Sequence, residues 1–284
     1  MFISIDSPVG FIGFGKVANL LASNMKLQGF EISAFTNRTP ENYQILEEAL
    51  EAKFVLTGQE VQNACEVIFI TTNDDNIEDV CNSIEWSPDK YVIHCSGNLP
   101  LSVLSHAQEQ GCITGALHPF KSIVNGDITQ IQVTLDNTVF GITTDNSQLS
   151  DYLDLITSKL NSHSYQISDE LKTPYHIAAV SACGHLTTLL HIATTVFKHS
   201  GASTEQALQC LKPLILETVN NYFEYGSAIS LTGPAARNDK DTVLDHVNWL
   251  YQTIPEYLDV YTSLTKQGLG ITSTDSAEHI KKET

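Results

Sequence analysis

The chain has 284 residues, 42% of them hydrophobic, enough to bury a large core and most naturally divided between two domains. Its formal net charge is −18 at pH 7, a field that repels nucleic acid and anionic membrane surfaces and argues against both as partners. Any anion site in so acidic a chain is a local exception, which draws attention to its only two arginines, Arg38 and Arg237.

Met1-Phe2-Ile3-Ser4-Ile5-Asp6 has neither a basic segment nor a long apolar one, so no signal peptide is expected. No run of 18 or more apolar residues is found either, and a cytoplasmic protein is expected. From residue 10 onward, short apolar runs alternate with helical segments. Strands are predicted at 10–13, 31–35, 53–56, 67–71, 91–95, 113–117 and 138–142. The runs Val67-Ile68-Phe69-Ile70 and Tyr91-Val92-Ile93 lack polar alternation, as strands covered on both faces do. A helix at 17–27 closes at Gly29. A helix at 148–160 and a strand near Tyr165 complete a mostly parallel, doubly wound α/β domain over residues 1–168.

Residues 169–284 read as a second, all-α domain. Thr173-Pro174 suggests an N-cap followed by proline in the first turn. The helix from there to about Lys198 is apolar on nearly every face, which predicts burial in a bundle centre or a subunit interface. Gly184 in its middle costs about 1 kcal/mol against alanine, and the close approach of a neighbour or ligand would account for it. Further helices are expected at 203–225, 242–253 and 255–267, with a polar, frayed tail after Gly270. The six cysteines lie in or beside apolar runs and are read as buried thiols. Histidine and cysteine spacing suggests no metal site.

The first predicted strand runs into Gly13-Phe14-Gly15-Lys16-Val17-Ala18, a G-x-G-x-x-A turn opening a helix. Glycines there let backbone N–H groups approach a diphosphate at the helix N-terminus. Some twenty residues on, where an acidic side chain would bind the ribose of NAD, stand Asn37, Arg38 and Thr39. A guanidinium at that place suits the 2′-phosphate of NADP. The coenzyme predicted is therefore NADP(H).

Ligands of such sheets sit beyond the carboxyl ends of the strands. Thr71 and Thr72, then Ser96 and Gly97, are placed there as coenzyme contacts, and His118 as a reactive group. His176 and Lys172, near the start of the long helix, are the other candidate proton donors. Thr232, Gly233, Pro234, Arg237 and Asp239 form a turn suited to the anionic end of a small substrate. Together these predict an NADP-dependent oxidoreductase reducing the C=O or C=N bond of a small keto or imino acid. A non-catalytic NADP-binding sensor or scaffold is the alternative. The absence of any Tyr-x-x-x-Lys argues against a short-chain dehydrogenase.

The glycine-rich turn, Ser96-Gly97, His118-Pro119, Tyr175-His176-Ile177-Ala178-Ala179-Val180 and the segment 231–239 together resemble the Rossmann-like proteins that carry a C-terminal domain of unknown function 2520. The resemblance spans nearly the whole chain. It implies a Rossmann domain followed by a helical domain of the 6-phosphogluconate dehydrogenase C-terminal-like type, and kinship with pyrroline-5-carboxylate reductase, ketopantoate reductase and deazaflavin-dependent NADP oxidoreductases. It also implies a homodimer built through the C-terminal helices. Asn238 stands where the family has glycine in Arg-Gly-Asp, and Cys183-Gly184 where Ser-Asn is common, so the substrate is not carried over with the family.

Overall fold

The computed structural model describes residues 3–38, 43–123 and 134–282, with side chains described through 271. It divides into two compact units, Met1–Gly184 and His185–Thr284. The first contains one sheet of eight strands: β1 (Val9–Ile12), β2 (Ile32–Thr36), β3 (Lys53–Phe54), β4 (Val67–Ile70), β5 (Tyr91–His94), β6 (Ile113–Phe120), β7 (Val139–Thr143) and β8 (His163–Gln166). Their order is β3-β2-β1-β4-β5-β6-β7-β8, with every neighbouring pair parallel except β6 and β7.

Every residue of β1, β4 and β5 is buried, which explains their unbroken apolar sequence. Phe11, Phe35, Phe69 and Ile93 belong to one core cluster with Leu21 and Met25, while Ile12, Ile68, Ile70 and Val92 belong to another with Cys81 and Trp86. Phe11 and Phe69 stack with ring centroids 5.2 Å apart. The covering helices are α1 (Lys16–Leu27), α2 (Tyr43–Leu50), α3 (Gly58–Ala64), α4 (Ile77–Asn82), α5 (Ser105–Glu109) and α6 (Ser147–Lys159). Each predicted strand is present within a few residues of its expected limits. β8, at the sheet edge, is exposed along its whole length and carries the polar side chains expected of an unpaired edge.

α7 (Lys172–Val180) and α8 (Leu186–Lys198) are joined by a π-helical turn over Ser181–His185. Helix α7 begins at Lys172, directly after a single 3₁₀ turn, so Thr173 lies inside the first helical turn and is not its cap. Pro174 remains in that first turn, where a missing N–H leaves no helical bond unmade. The expected burial is not found within the single chain: Ile177 is 60% exposed and no residue of α8 is buried. An apolar stripe all round a helix calls for cover, but it does not specify that the cover comes from the same chain. A Cβ at Gly184 would meet no atom within 4 Å beyond its own helix backbone and adjacent residues, so steric exclusion does not account for glycine there.

The helical run Asp169–Lys198 contains an 18-residue stretch of mean hydropathy 1.4, and by length and composition alone it could cross a bilayer, although no uninterrupted apolar run of that length occurs. His176, Ser181, His185 and His191 interrupt it, and a single helix of this kind is weak evidence of a membrane span. In the second unit, α9 (Thr204–Ser230) opens on a Ser203–Gln206 capping box and breaks at Gly226, whose φ is +77°. α10 (Lys240–Thr253) is capped by Asp239, and α11 (Leu258–Lys282) follows. The backbone of α11 stays helical past Gly270, where fraying was expected. Cys65, Cys81 and Cys112 are buried as predicted, whereas Cys183 and Cys210 lie on exposed helical surface.

Candidate active site

β1 delivers the chain into the glycine turn, and sterics explain why glycine stands at its head. Gly13 has φ +88°, and a Cβ there would lie 2.7 Å from Thr72 Cγ2 and 2.9 Å from the Thr72 backbone nitrogen. Gly15 precedes the first turn of α1 without a side-chain cap, and its Cβ would meet nothing within 4 Å. A helix start with uncapped N–H groups and an open approach suits an anion. Ala18, in the third position of the motif, is fully buried and closes helix against strand. Phe14 is buried too, between Phe11 and Phe35, so its ring faces the core and only its backbone belongs to the turn. Lys16 is exposed and Val17 half-buried.

Around this turn opens a cleft of about 470 Å³, lined by Gly13, Gly15, Asn37, Arg38, Thr71 and Thr72 among others. Asn37 Nδ2 donates to the Phe14 carbonyl at 3.3 Å, and its Oδ1 accepts from the Arg38 backbone N–H at 2.9 Å. Thr71 Oγ1 donates to the Gly13 carbonyl at 2.6 Å. Thr72 Oγ1 is buried without a partner among the described residues, a donor available to a ligand. Thr39 lies outside the described residues.

Beyond the ends of β4 and β5 the polar groups form a connected set. Ser96 Oγ donates to Asp74 Oδ2 at 2.6 Å and accepts from the Asn98 and Leu99 backbone N–H groups. The fully buried His94 accepts the Ser96 backbone N–H at Nδ1, at 3.2 Å, which places its own proton on Nε2. Burial, followed by the charge of Lys172, pushes the His94 pKa down to about 3.

Lys172 is 3% exposed. Its Nζ donates to the Leu99 carbonyl at 2.6 Å, with Asp169 Oδ1 at 3.7 Å and His94 Nε2 at 3.5 Å. Desolvation lowers its pKa to about 8, against the opposing pull of Asp169 and Asp74. This lysine is turned inward, lining a small pocket with Ser96, Gly97, His118 and Tyr175.

His118 lies over Gly97, whose Cβ would fall 2.8–2.9 Å from three ring atoms. Its Nδ1 is 2.9 Å from the Tyr175 hydroxyl. Tyr175 in turn rests on Gly141, where a Cβ would come within 2.7 Å of the hydroxyl. Two glycines thus make room for one His–Tyr pair. His176 stands edge-on to His118 with ring centroids 6.4 Å apart. Burial first, then the charge of His176, depresses the His118 pKa to about 4, so this imidazole is neutral at physiological pH.

His118, His176 and Lys172 therefore share one region, as the sequence suggests. Gly141 was not singled out from it, His94 only as part of the segment ending the fifth strand, and Tyr175 only within the Tyr-His helix start. The only available signal was the Tyr175-His176 pair itself, since helical spacing does not show that a phenol reaches a strand 57 residues earlier.

In the second unit, Gly233 (φ +91°) and Asn238 (φ +52°) shape the 232–239 turn. The Gly233 carbonyl accepts the Arg237 N–H, and the Pro234 carbonyl the Asp239 N–H. Asp239 accepts from both the backbone N–H and the hydroxyl of Thr242, which holds its pKa below the usual carboxylate range. Its carboxylate is thus committed to capping α10. Thr232 and Arg237 are exposed.

Residues 8–98 match the family model for NADP oxidoreductase, coenzyme F420-dependent, and residues 138–268 that for a domain of unknown function 2520. No curated protein matches the chain. A Bacteroides fragilis structure described as an NADP oxidoreductase is 23% identical, with 94% of this chain and 100% of that one covered and a TM-score of 0.76. A reductive aminase from Aspergillus terreus in complex with NADPH and ethyl levulinate is 12% identical, covering 94% and 98%, with a TM-score of 0.69. Pyrroline carboxylate reductase from Plasmodium falciparum with NADP bound is 13% identical, covering 95% and 100%, with a TM-score of 0.62. At these identities the structures establish the fold; the family models match residues 8–98 to the NADP oxidoreductases and residues 138–268 to a domain of unknown function 2520, and they support an oxidoreductase with NADP(H) as its coenzyme.

Proposed function

We propose that this oxidoreductase transfers hydride from NADPH to the C=O or C=N carbon of a small keto or imino acid in the cytoplasm. The observation that carries this reading is the neutral His118, fixed between Gly97 and Tyr175 in the last residues of β6, beyond the end of β5. The Asp74–Ser96 bond links that region to β4, whose following residues Thr71 and Thr72 line the nucleotide cleft. A neutral imidazole N–H polarises a carbonyl or imine and supplies a proton where negative charge develops. Structural neighbours described as a reductive aminase and a pyrroline carboxylate reductase support C=N as one target. Thr232, Gly233, Pro234 and Arg237 are assigned to a substrate carboxylate, and two copies of the chain to a dimer through the apolar helices.

The test is transfer of deuterium from C4-labelled NADPH to products in a panel of keto acids, imino acids and aldehydes. Label should appear at the reduced carbon, and His118→Ala should lower turnover by about 100-fold or more with NADPH affinity unchanged. Arg38→Ala should weaken NADPH binding about tenfold or more and leave NADH unaffected. Tight NADPH binding without deuterium transfer to any member of the panel would instead favour a sensor or scaffold.

A further inference from the structure

Tyr175 has no assigned part in the reading above, yet its hydroxyl hydrogen-bonds the His118 side chain at 2.9 Å. The hydroxyl lies over Gly141, where a Cβ would come within 2.7 Å of it, and its oxygen is 2.9 Å from His118 Nδ1. A phenol is a stronger donor than a neutral imidazole N–H and an imidazole nitrogen a stronger acceptor than a phenol oxygen, so the phenolic proton points at Nδ1. Nδ1 is then an acceptor, and the single proton of the neutral ring sits on Nε2. The ring of Tyr175 is itself held, tilted against Phe120 at 5.1 Å and stacked on Tyr165 at 6.5 Å between centroids.

Resting on the reductase reading, we propose that Tyr175 is the positioning residue of proton delivery: it holds His118 as the Nε2–H tautomer and refills Nδ1 as the Nε2 proton leaves. When hydride from NADPH forms the new C–H bond, the π pair of the C=O or C=N bond moves to the heteroatom, which takes the Nε2 proton. The N–H bonding pair returns to the imidazole as Nδ1 gains the phenolic proton, leaving the ring neutral. The negative charge comes to rest on the Tyr175 oxygen until water reprotonates it. Burial keeps the Tyr175 pKa high, at about 12, so the phenol is fully loaded at neutral pH. An alkoxide or amide anion is a still stronger base, so the relay runs toward product.

The tautomer is read without substrate, by ¹⁵N NMR of the ligand-free full chain with labelled histidine at pH 7. The His118 signals are identified by their loss in His118→Gln. The wild type should show one form, protonated at Nε2, and in Tyr175→Phe the ratio of Nε2–H to Nδ1–H should fall about tenfold. Gly141→Ala, which pushes the hydroxyl away without deleting it, should do the same and serves if Tyr175→Phe fails to fold. With any accepted member of the panel, Tyr175→Phe should lower kcat by about 100-fold at unchanged KM and NADPH affinity, a split that simple loss of packing does not produce. An unchanged tautomer ratio in both variants overturns the proposal. A shifted ratio in a protein that transfers no deuterium overturns the reductase reading and the relay with it, while the Tyr175–His118 bond stands.

Discussion

The two units solve the same problem in opposite ways. In the sheet unit, apolar residues on both faces are buried within the chain, and Phe11, Phe69, Ile68 and Val92 have no exposed surface. In the helical unit, Phe223 is 82% exposed and Ile229 70%, and among the described residues the buried apolar ones beyond Gly184 are Ala207, Leu250 and Ile254. Burial at roughly 25 cal/mol per Å² is the main term holding a domain together, so the first unit carries its own core and the second lacks one in a single copy. Exposed apolar surface on this scale marks an interaction site. We propose that a second chain completes this core.

The largest effect is expected where the first unit is most tightly specified. Gly13→Ala puts a methyl group 2.9 Å from the Thr72 backbone at a φ that alone costs about 1–2 kcal/mol. NADPH affinity, followed by fluorescence titration, should drop by about 100-fold or more while the melting of the helical unit is untouched. Retained affinity would mean that the turn does not grip the coenzyme. A smaller effect separates the units directly. In scanning calorimetry the transition of the helical unit should move with protein concentration, losing about 1.4 kcal/mol of dimer stability per tenfold dilution, while that of the sheet unit stays fixed. Two transitions that both ignore concentration would rule out the dimer.

The contrast also sets what could be read in advance. β4 and β5 were legible because strands covered on both faces must be apolar throughout, whatever their neighbours. The turn at Gly13 was legible because its conformation admits almost nothing but glycine. Helix α8 announced a need for cover without naming its source, since periodicity records which residues avoid water and not which atoms shield them. Lys172 was placed near the site by its position at a helix start, but its burial against the Leu99 carbonyl and Asp169 was not legible, since Leu99 comes from a distant part of the chain. Tyr175 was illegible because its role depends on where β6 and β7 set His118 and Gly141 opposite each other, a matter of register and not of local sequence.

The finest expected difference lies within the sheet unit, in its response to acid. His94 has its pKa pushed from 6.5 down to about 3 by burial and by Lys172, and His118 to about 4. Between pH 6.5 and these values the unfolded chain binds protons that the folded chain refuses, so stability rises with pH across that window and is complete above it. Each such histidine contributes a slope of at most about 1.4 kcal/mol per pH unit. His94→Asn keeps an acceptor for the Ser96 N–H while removing the titrating ring. Its denaturant midpoint, measured from pH 6.5 to pH 4, should therefore fall less steeply than that of the wild type, whatever its absolute stability. Equal slopes would mean that His94 takes up its proton in the folded state, and that the buried contact with Lys172 opens before the sheet unfolds.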